Sequence, residues 1–313
     1  MKIYMAPLEG VTGFIYRNAH AKYFGKMDKY FTPFLSPTMH NELTPREKKE
    51  ILPEHNKNLY VVPQLLTNKA EHFINAAREL ESYGYQEVNL NLGCPSGTVV
   101  AKRKGSGFLG EKKELEQFLD KIFSKLDMKI SIKTRIGIQT AEDHEELSII
   151  FNKFPLEELI IHPRIQKDFY KNKPNLDVFE KMNRISNNPI CYNGDIYNLD
   201  DYKRFQERFS NVGVIMLGRG LIQNPNFANE IKAGKTKQEA KMKKEQLEAF
   251  LNDVFAGYRE QMGEDRNALF RMKELWSYMI DDFPGCEKLG KQINKVQTKE
   301  EYTNIIQLIL DTM

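Results

Sequence analysis

Short unbroken apolar runs alternate with amphipathic stretches over the first 230 residues, and this alternation constrains the fold more than any other feature. The runs are Ile3–Ala6, Tyr30–Leu35, Leu59–Leu65, Glu87–Leu92, Lys129–Thr134, Leu159–His162, Pro189–Asn193 and Val212–Leu217. They are rich in Ile, Val and Tyr, and they are continuous rather than alternating. Strands of a parallel sheet are buried on both faces and read this way. Between them, Leu115, Phe118, Leu119, Ile122, Phe123 and Leu126 follow the helical period, as do Phe73, Ala76, Ala77 and Leu80. Strand after helix after strand predicts a (β/α)8 TIM barrel. A doubly wound open sheet is the rival fold. It would carry a glycine-rich dinucleotide turn after its first strand, where this chain has Pro7-Leu8-Glu9-Gly10.

The pattern changes near residue 233. Ala233-Gly234 closes the barrel-like part, and Lys235-Thr236-Lys237 begins a charged linker. Beyond it lie three apolar helix faces. The first is Leu247, Phe250, Leu251, Val254, Phe255 and Tyr258. The second is Met272, Leu275, Trp276, Met279 and Ile280, and the third Tyr302, Ile305, Ile306 and Ile309. The predicted organisation is a barrel over 1–233 and a small C-terminal helical bundle over 234–313. No apolar run approaches the roughly 20 residues of a membrane helix, and the start of the chain has no signal-peptide pattern. The three cysteines, Cys94, Cys191 and Cys286, form no C-x-x-C pair, which suits a reducing cytoplasm and no metal framework. Net charge is +3 with a sequence pI near 8.5, a mild bias toward anionic partners.

In a TIM barrel the carboxyl ends of the strands converge on one mouth. Read in order, those ends carry Pro7-Leu8, Gln64, Asn91 with Cys94, Lys133 with Arg135, His162 with Arg164, Asn193 with Asp195, and Gly218-Arg219. Polar groups left unpaired in an interior are costly, so this set implies a polar ligand. Asn193-Gly194-Asp195 and Gly218-Arg219-Gly220 follow the last two strands, where barrels bind phosphate. Asn224-Pro225 can start a short extra helix there. Two basic clusters fall on loops of the same end. Lys102-Arg103-Lys104 follows the cysteine, and Arg164, Lys167, Lys171 and Lys173 surround Phe169 and Tyr170.

Six segments resemble the tRNA-dihydrouridine synthases: Met5–Val11, Asn91–Ser96, Lys133–Gly137, His162–Arg164, Asn193–Ile196 and Gly218–Gly220. The tail Arg271–Tyr278 extends the resemblance to about residue 310. The family resemblance implies an FMN-dependent reduction of uridine in tRNA, with NADPH as reductant. It implies that Pro7, Leu8 and Glu9 lie beside the flavin and that Gln64, Lys133 and His162 contact its ring. It assigns Asn193, Gly194, Asp195, Gly218 and Arg219 to the ribityl-phosphate end and makes Cys94 the acid that protonates C5. An apolar setting would keep that thiol protonated. The substrate and RNA candidates are Asn91, Lys102, Arg103, Lys104, Arg135, Arg164, Lys171, Arg271 and Lys273. Two positions depart from the family: Asn89 stands where an acidic residue is frequent, and Leu8 where Met is. A monomer working in the cytoplasm is the default. Two other functions fit the same residues less fully. One is a small-molecule FMN barrel of the dihydroorotate-dehydrogenase or ene-reductase kind, which needs no basic loops. The other is a non-catalytic RNA-binding barrel, which needs no cysteine. Which uridine is reduced, whether the RNA is tRNA or rRNA, and the choice between NADPH and NADH are not written in the motifs.

Overall fold

The computed structural model describes residues 1–39, 43–234 and 242–313. The described residues pack as two compact units. The first comprises Met1–Pro7, Asp28–Asp195 and Gln206–Met216; the second comprises Leu8–Met27, Ile196–Phe205 and Leu217–Met313.

The first unit is built on one parallel sheet. Its strands are β1 (Lys2–Met5), β2 (Lys29–Phe31), β3 (Val61–Val62), β4 (Gln64–Leu65), β5 (Glu87–Leu92), β6 (Lys129–Gly137), β7 (Glu158–Ile165), β8 (Ile190–Tyr192) and β9 (Val214–Leu217). Their order is β3-β2-β1-β9-β8-β7-β6-β5-β4, so the two edges are neighbours in the chain. Pro63 alone separates them. Val61 and Val62 pair with β2, while Gln64 and Leu65 pair with β5. Proline has no N–H to give to a ladder, so the single run expected at Leu59–Leu65 divides into two short strands. The Pro63 carbonyl still accepts from Asn89 N at 2.9 Å. The nine segments thus make the predicted barrel of eight staves, nearly closed at Pro63.

The helices run in the order α1 (Phe14–Phe24), α2 (Pro45–Ile51), α3 (Ala70–Ser82), α4 (Gly97–Val100), α5 (Lys112–Phe123), α6 (Asp143–Phe151), α7 (Leu176–Ile185), α8 (Leu199–Arg208), α9 (Arg219–Gln223), α10 (Phe227–Ala233), α11 (Lys244–Met262), α12 (Asp265–Met279), α13 (Glu287–Ile293) and α14 (Lys299–Leu310). The predicted faces of α3 and α5 are buried at Phe73, Ala76, Ala77, Leu80, Leu115, Phe118, Leu119 and Ile122. Leu126 lies beyond the end of α5 and outside its stripe.

In the second unit the tail helices bury the expected residues, from Leu247 to Tyr258 on α11 and Met272 to Met279 on α12. Trp276 Nε1 donates to Tyr302 Oη at 3.0 Å, joining α12 to α14. The division near residue 233 is not where the packing divides. The N-terminal helix α1 packs on α11, with the rings of Tyr16 and Phe250 5.5 Å apart and edge-on. Ile15 presses on the same helix at Gly257, where a Cβ would stand 2.7 Å from Ile15 Cγ2. An α1 that meets α11 is a long-range pairing, so a linear reading of composition could not find it. The charged linker expected at Lys235-Thr236-Lys237 lies outside the described residues. Among the described residues no helix is long and apolar enough to cross a membrane. They hold no group of three or more His, Cys, Asp and Glu that could bind a metal.

Candidate active site

Side chains two residues apart on a strand share a face, and β5 uses this to bring Asn89 and Asn91 to one side. Gln64 pairs in register with Asn89, and Lys133 with Asn91. Gln64, Asn89 and Asn91 form a relay of amides that ends on Ser131. Asn91 Nδ2 donates to Gln64 Oε1 at 2.7 Å, Gln64 Nε2 to Asn89 Oδ1 at 2.8 Å, and Asn89 Nδ2 to Ser131 Oγ at 2.9 Å. Asn89 therefore does neutral work in a chain of amides, which accounts for an amide where an acid was frequent.

Asn91 Oδ1 accepts the backbone N–H of both Gly93 and Cys94 at 3.0 Å. That short-range cap turns the chain sharply as β5 ends, the habit of Asn in turns. Cys94 emerges half-buried on the turn. Behind it, Ser106 N and Ser106 Oγ donate to the Cys94 carbonyl at 3.1 and 2.8 Å. Gly105, at φ +56, leaves the space: a Cβ there would lie 2.9 Å from the Cys94 oxygen. The thiol is thus carried on a backbone pinned from two sides.

Arg135 is buried and engaged with backbone. Its Nε donates to Gly93 O at 3.0 Å, its Nη1 to Ile165 O at 2.8 Å and its Nη2 to Phe169 O at 2.7 Å. It ties the cysteine turn to the loop after β7. Gln166 adds a second tie, Nε2 to Pro95 O at 3.3 Å. Arg164 is also buried. Its guanidinium grips both oxygens of Asp195 at 3.0 and 2.5 Å, and its Nε donates to Asn172 O at 2.6 Å. Its Nη1 meets His162 Nε2 at 2.8 Å. A guanidinium only donates, so Nε2 accepts and the imidazole is neutral, with its proton on Nδ1. Arg135 and Arg164 were expected to grip RNA. The structure instead makes both internal braces, because carbonyls and a carboxylate already claim their donors.

Lys133 is different. Its ammonium makes no hydrogen bond and no ion pair with any described residue. Burial, with Arg135 second, pulls it down to about 8, while the charges of Cys191 and Cys94 act to raise it.

The remaining expected residues divide between the units. In the first, Pro7 is half-buried, and Asn193 is buried with Nδ2 donating to Met216 O at 2.9 Å. Gly194 has a local reason to be glycine, since a Cβ would fall 2.0 Å from the Tyr192 hydroxyl. Lys102 is exposed, with no acidic partner among the described residues, whereas Arg103 Nε lies 3.3 Å from Glu111. Lys104 is half-buried and lowered by burial first, then by Lys102. In the second unit, Leu8 N donates to Thr12 Oγ1 at 2.7 Å, Glu9 is exposed, and Gly218 precedes α9. The Arg219 guanidinium lies over the Tyr197 ring at 5.3 Å. The helix anticipated from Asn224-Pro225 begins at Phe227, with Asn224 Oδ1 accepting Asn226 N at 3.0 Å. Arg271 and Lys273 are half-buried. Arg271 Nη1 lies 3.1 Å from Glu274 Oε2, and Lys273 Nζ donates to Val296 O at 2.6 Å. Both make contacts inside their unit.

Sequence reasoning missed Ser106, Ser131 and Gln166. Only Ser131 had a signal, the two-residue period it shares with Lys133 and Arg135 on β6.

The family model for dihydrouridine synthase (Dus) matches residues 4–312. The chain is 24% identical over 322 residues to the probable tRNA-dihydrouridine synthase 1 of Synechocystis sp., covering 99% of this chain and 87% of that protein. It is 24% identical over 323 residues to the tRNA-dihydrouridine(16) synthase of Aquipseudomonas alcaligenes, covering 98% and 99%. Morphinone reductase in complex with tetrahydroNAD superposes at a TM-score of 0.51 and 12% identity, over 74% of this chain and 86% of that one. At that identity the likeness is one of fold.

Proposed function

The chain belongs to the dihydrouridine synthase family, and we propose that it reduces the C5–C6 double bond of uridine in tRNA to 5,6-dihydrouridine, using noncovalent FMN re-reduced by NADPH. The observation that carries this reading is Lys133, in register with Asn91 on the neighbouring strand and with no hydrogen bond or ion pair to any described residue. Such a group needs an electron-rich ligand. The pyrimidine edge of a flavin supplies one, and the donor-rich relay through Gln64 and Asn91 suits the same ring. On the family resemblance, Gln64 and His162 are assigned to the ring with Lys133, and Pro7, Leu8 and Glu9 to its surroundings. Asn193, Gly194, Asp195, Gly218 and Arg219 are assigned to the ribityl-phosphate end.

Held by these residues, a reduced flavin would supply a hydride to C6 of the uracil. Cys94 completes the addition from its side. Its S–H bond breaks, the proton goes to C5, and the sulfur is left as thiolate. Lys133 would favour that thiolate once formed. Asn91, by fixing the Gly93 and Cys94 amides, sets where the sulfur points and is itself the candidate to touch the base. Arg164 holds His162 neutral, so His162 presents a fixed tautomer. The uracil must leave its stack to reach the barrel, and exposed Lys102 is the best placed of the expected cations to hold backbone phosphate. The reading places the protein in the cytoplasm, working as a monomer.

Two measurements test it. Cofactor released from purified protein should be FMN by mass; FAD, or protein that never carries flavin, would overturn the cofactor assignment. tRNA from a strain lacking the gene should lose dihydrouridine at defined positions and regain it when the gene is returned. An unchanged modification map would overturn the substrate assignment.

A further inference from the structure

The loop after β7 holds a side chain that the reaction above does not use. Phe169 has φ +49 and ψ −102. Lys171 N donates to Asp168 O at 2.9 Å, closing a turn around it. These are the marks of the first central position of a type II′ turn, a place that glycine fills because a Cβ is strained there. The loop nonetheless fixes the conformation. Arg135 Nη2 holds the Phe169 carbonyl at 2.7 Å, and Asp168 Oδ2 accepts Ile165 N at 3.0 Å. The ring gains little burial in return, being 43% exposed. A strained, braced and exposed aromatic points to a contact outside the folded chain.

The charges around it say what kind of contact. Lys167, Lys171 and Lys173 lie on the same loop and make no ion pair with any described residue. Through Arg135 and Gln166 the loop is tied to the turn that carries Cys94. Aromatic faces amid unpaired cations suit unpaired nucleotides: rings stack on bases and ammonium groups meet phosphates.

We propose that Phe169 is a stacking platform for an RNA base, which the Lys167–Lys173 loop holds in place next to the nucleotide being reduced. The proposal rests on tRNA being the substrate. Phe169 is a positioning residue, since the chemistry is done by other groups.

Three variants, Phe169→Gly, Phe169→Ala and Phe169→Trp, test it in the full-length flavin-loaded protein. Affinity for a labelled unmodified tRNA transcript is read by fluorescence anisotropy, which needs no turnover. Gly and Ala should both bind about tenfold more weakly, the order of one lost base stack, and Trp should bind as well as wild type. Flavin content should be unchanged in all three. The Gly variant should melt about 2 °C above the Ala variant, because only glycine relieves the positive φ. Wild-type affinity in both small variants would overturn the proposal, and so would a Gly variant that melts below Ala. A wild-type protein that binds tRNA without reducing it would count against the proposed reaction while leaving the stacking result readable. A wild-type protein that does not bind tRNA would overturn both.

Discussion

The two ends of one barrel treat buried charge in opposite ways. At the amino ends of the strands, Lys29 is paired: its Nζ lies 2.8 Å from Glu87 Oε2 and 3.9 Å from Glu158 Oε2. Tyr4 Oη donates to Glu158 at 3.0 Å and Tyr60 Oη to Glu87 at 3.2 Å. Burial nevertheless pushes Glu158 up to about 7. At the carboxyl ends, two arginines are braced and one lysine is left alone. Two carboxylates meet one ammonium at the amino ends, while Lys133 has no ion pair with any described residue. On the proposed function, the lysine without an acid is the one that meets a ligand, and the lysine held by acids is structural. Polar groups at the amino ends of barrel strands generally serve stability, and those at the carboxyl ends chemistry.

The sharpest way to break this contrast is Cys94→Ala at the carboxyl ends. Removing a general acid costs about 10²–10⁴-fold, so tRNA reduction should fall by that order while flavin content and NADPH oxidation persist. Undiminished reduction would leave Cys94 with no part in the reaction.

Lys133→Met keeps length and removes charge. Losing a charge-assisted contact costs on the order of 1.5–3 kcal/mol, so FMN affinity measured by flavin release should fall about 10–100-fold. Unchanged affinity would assign the free ammonium to some other ligand.

Glu158→Gln sharpens the contrast from the amino ends. Burial raises Glu158 to about 7 in the folded protein, against an ordinary carboxyl value of 4.5. Its contribution to stability is therefore complete below about pH 4.5 and is lost as pH rises through 7. The glutamine variant should lose that slope and unfold at higher denaturant at pH 8, by about 1–3 kcal/mol, with tRNA reduction unaffected. A loss of reduction in a stable variant would mean that the two ends are not separate in function.

Much of the carboxyl end could be read along the chain because its signals are local. The Asn91–Cys94 turn is a cap over three residues, and a two-residue period on β6 marks Lys133 and Arg135. The strands could be read for the same reason, apart from the division that Pro63 imposes. What escaped depends on residues far apart. Tyr4, Lys29, Glu87 and Glu158 come from four strands and share no spacing. Packing of α1 on α11 joins segments over 200 residues apart, which moved the boundary between units. Arg135, Arg164, Arg271 and Lys273 showed their charge in the sequence but not their partners. Phe169 looked ordinary because a positive φ leaves no trace in residue identity unless glycine fills it.

The central claim is that the carboxyl end of the barrel adds hydrogen across the uridine C5–C6 bond in tRNA. The most direct measurement is nucleoside mass spectrometry of an unmodified tRNA transcript after incubation with purified flavin-loaded protein and NADPH. The expected result is a uridine lost and a dihydrouridine gained, two hydrogens heavier, at fixed positions, and neither change with Cys94→Ala. A transcript left unchanged by active, flavin-loaded wild-type protein, or one reduced equally by the alanine variant, would contradict it.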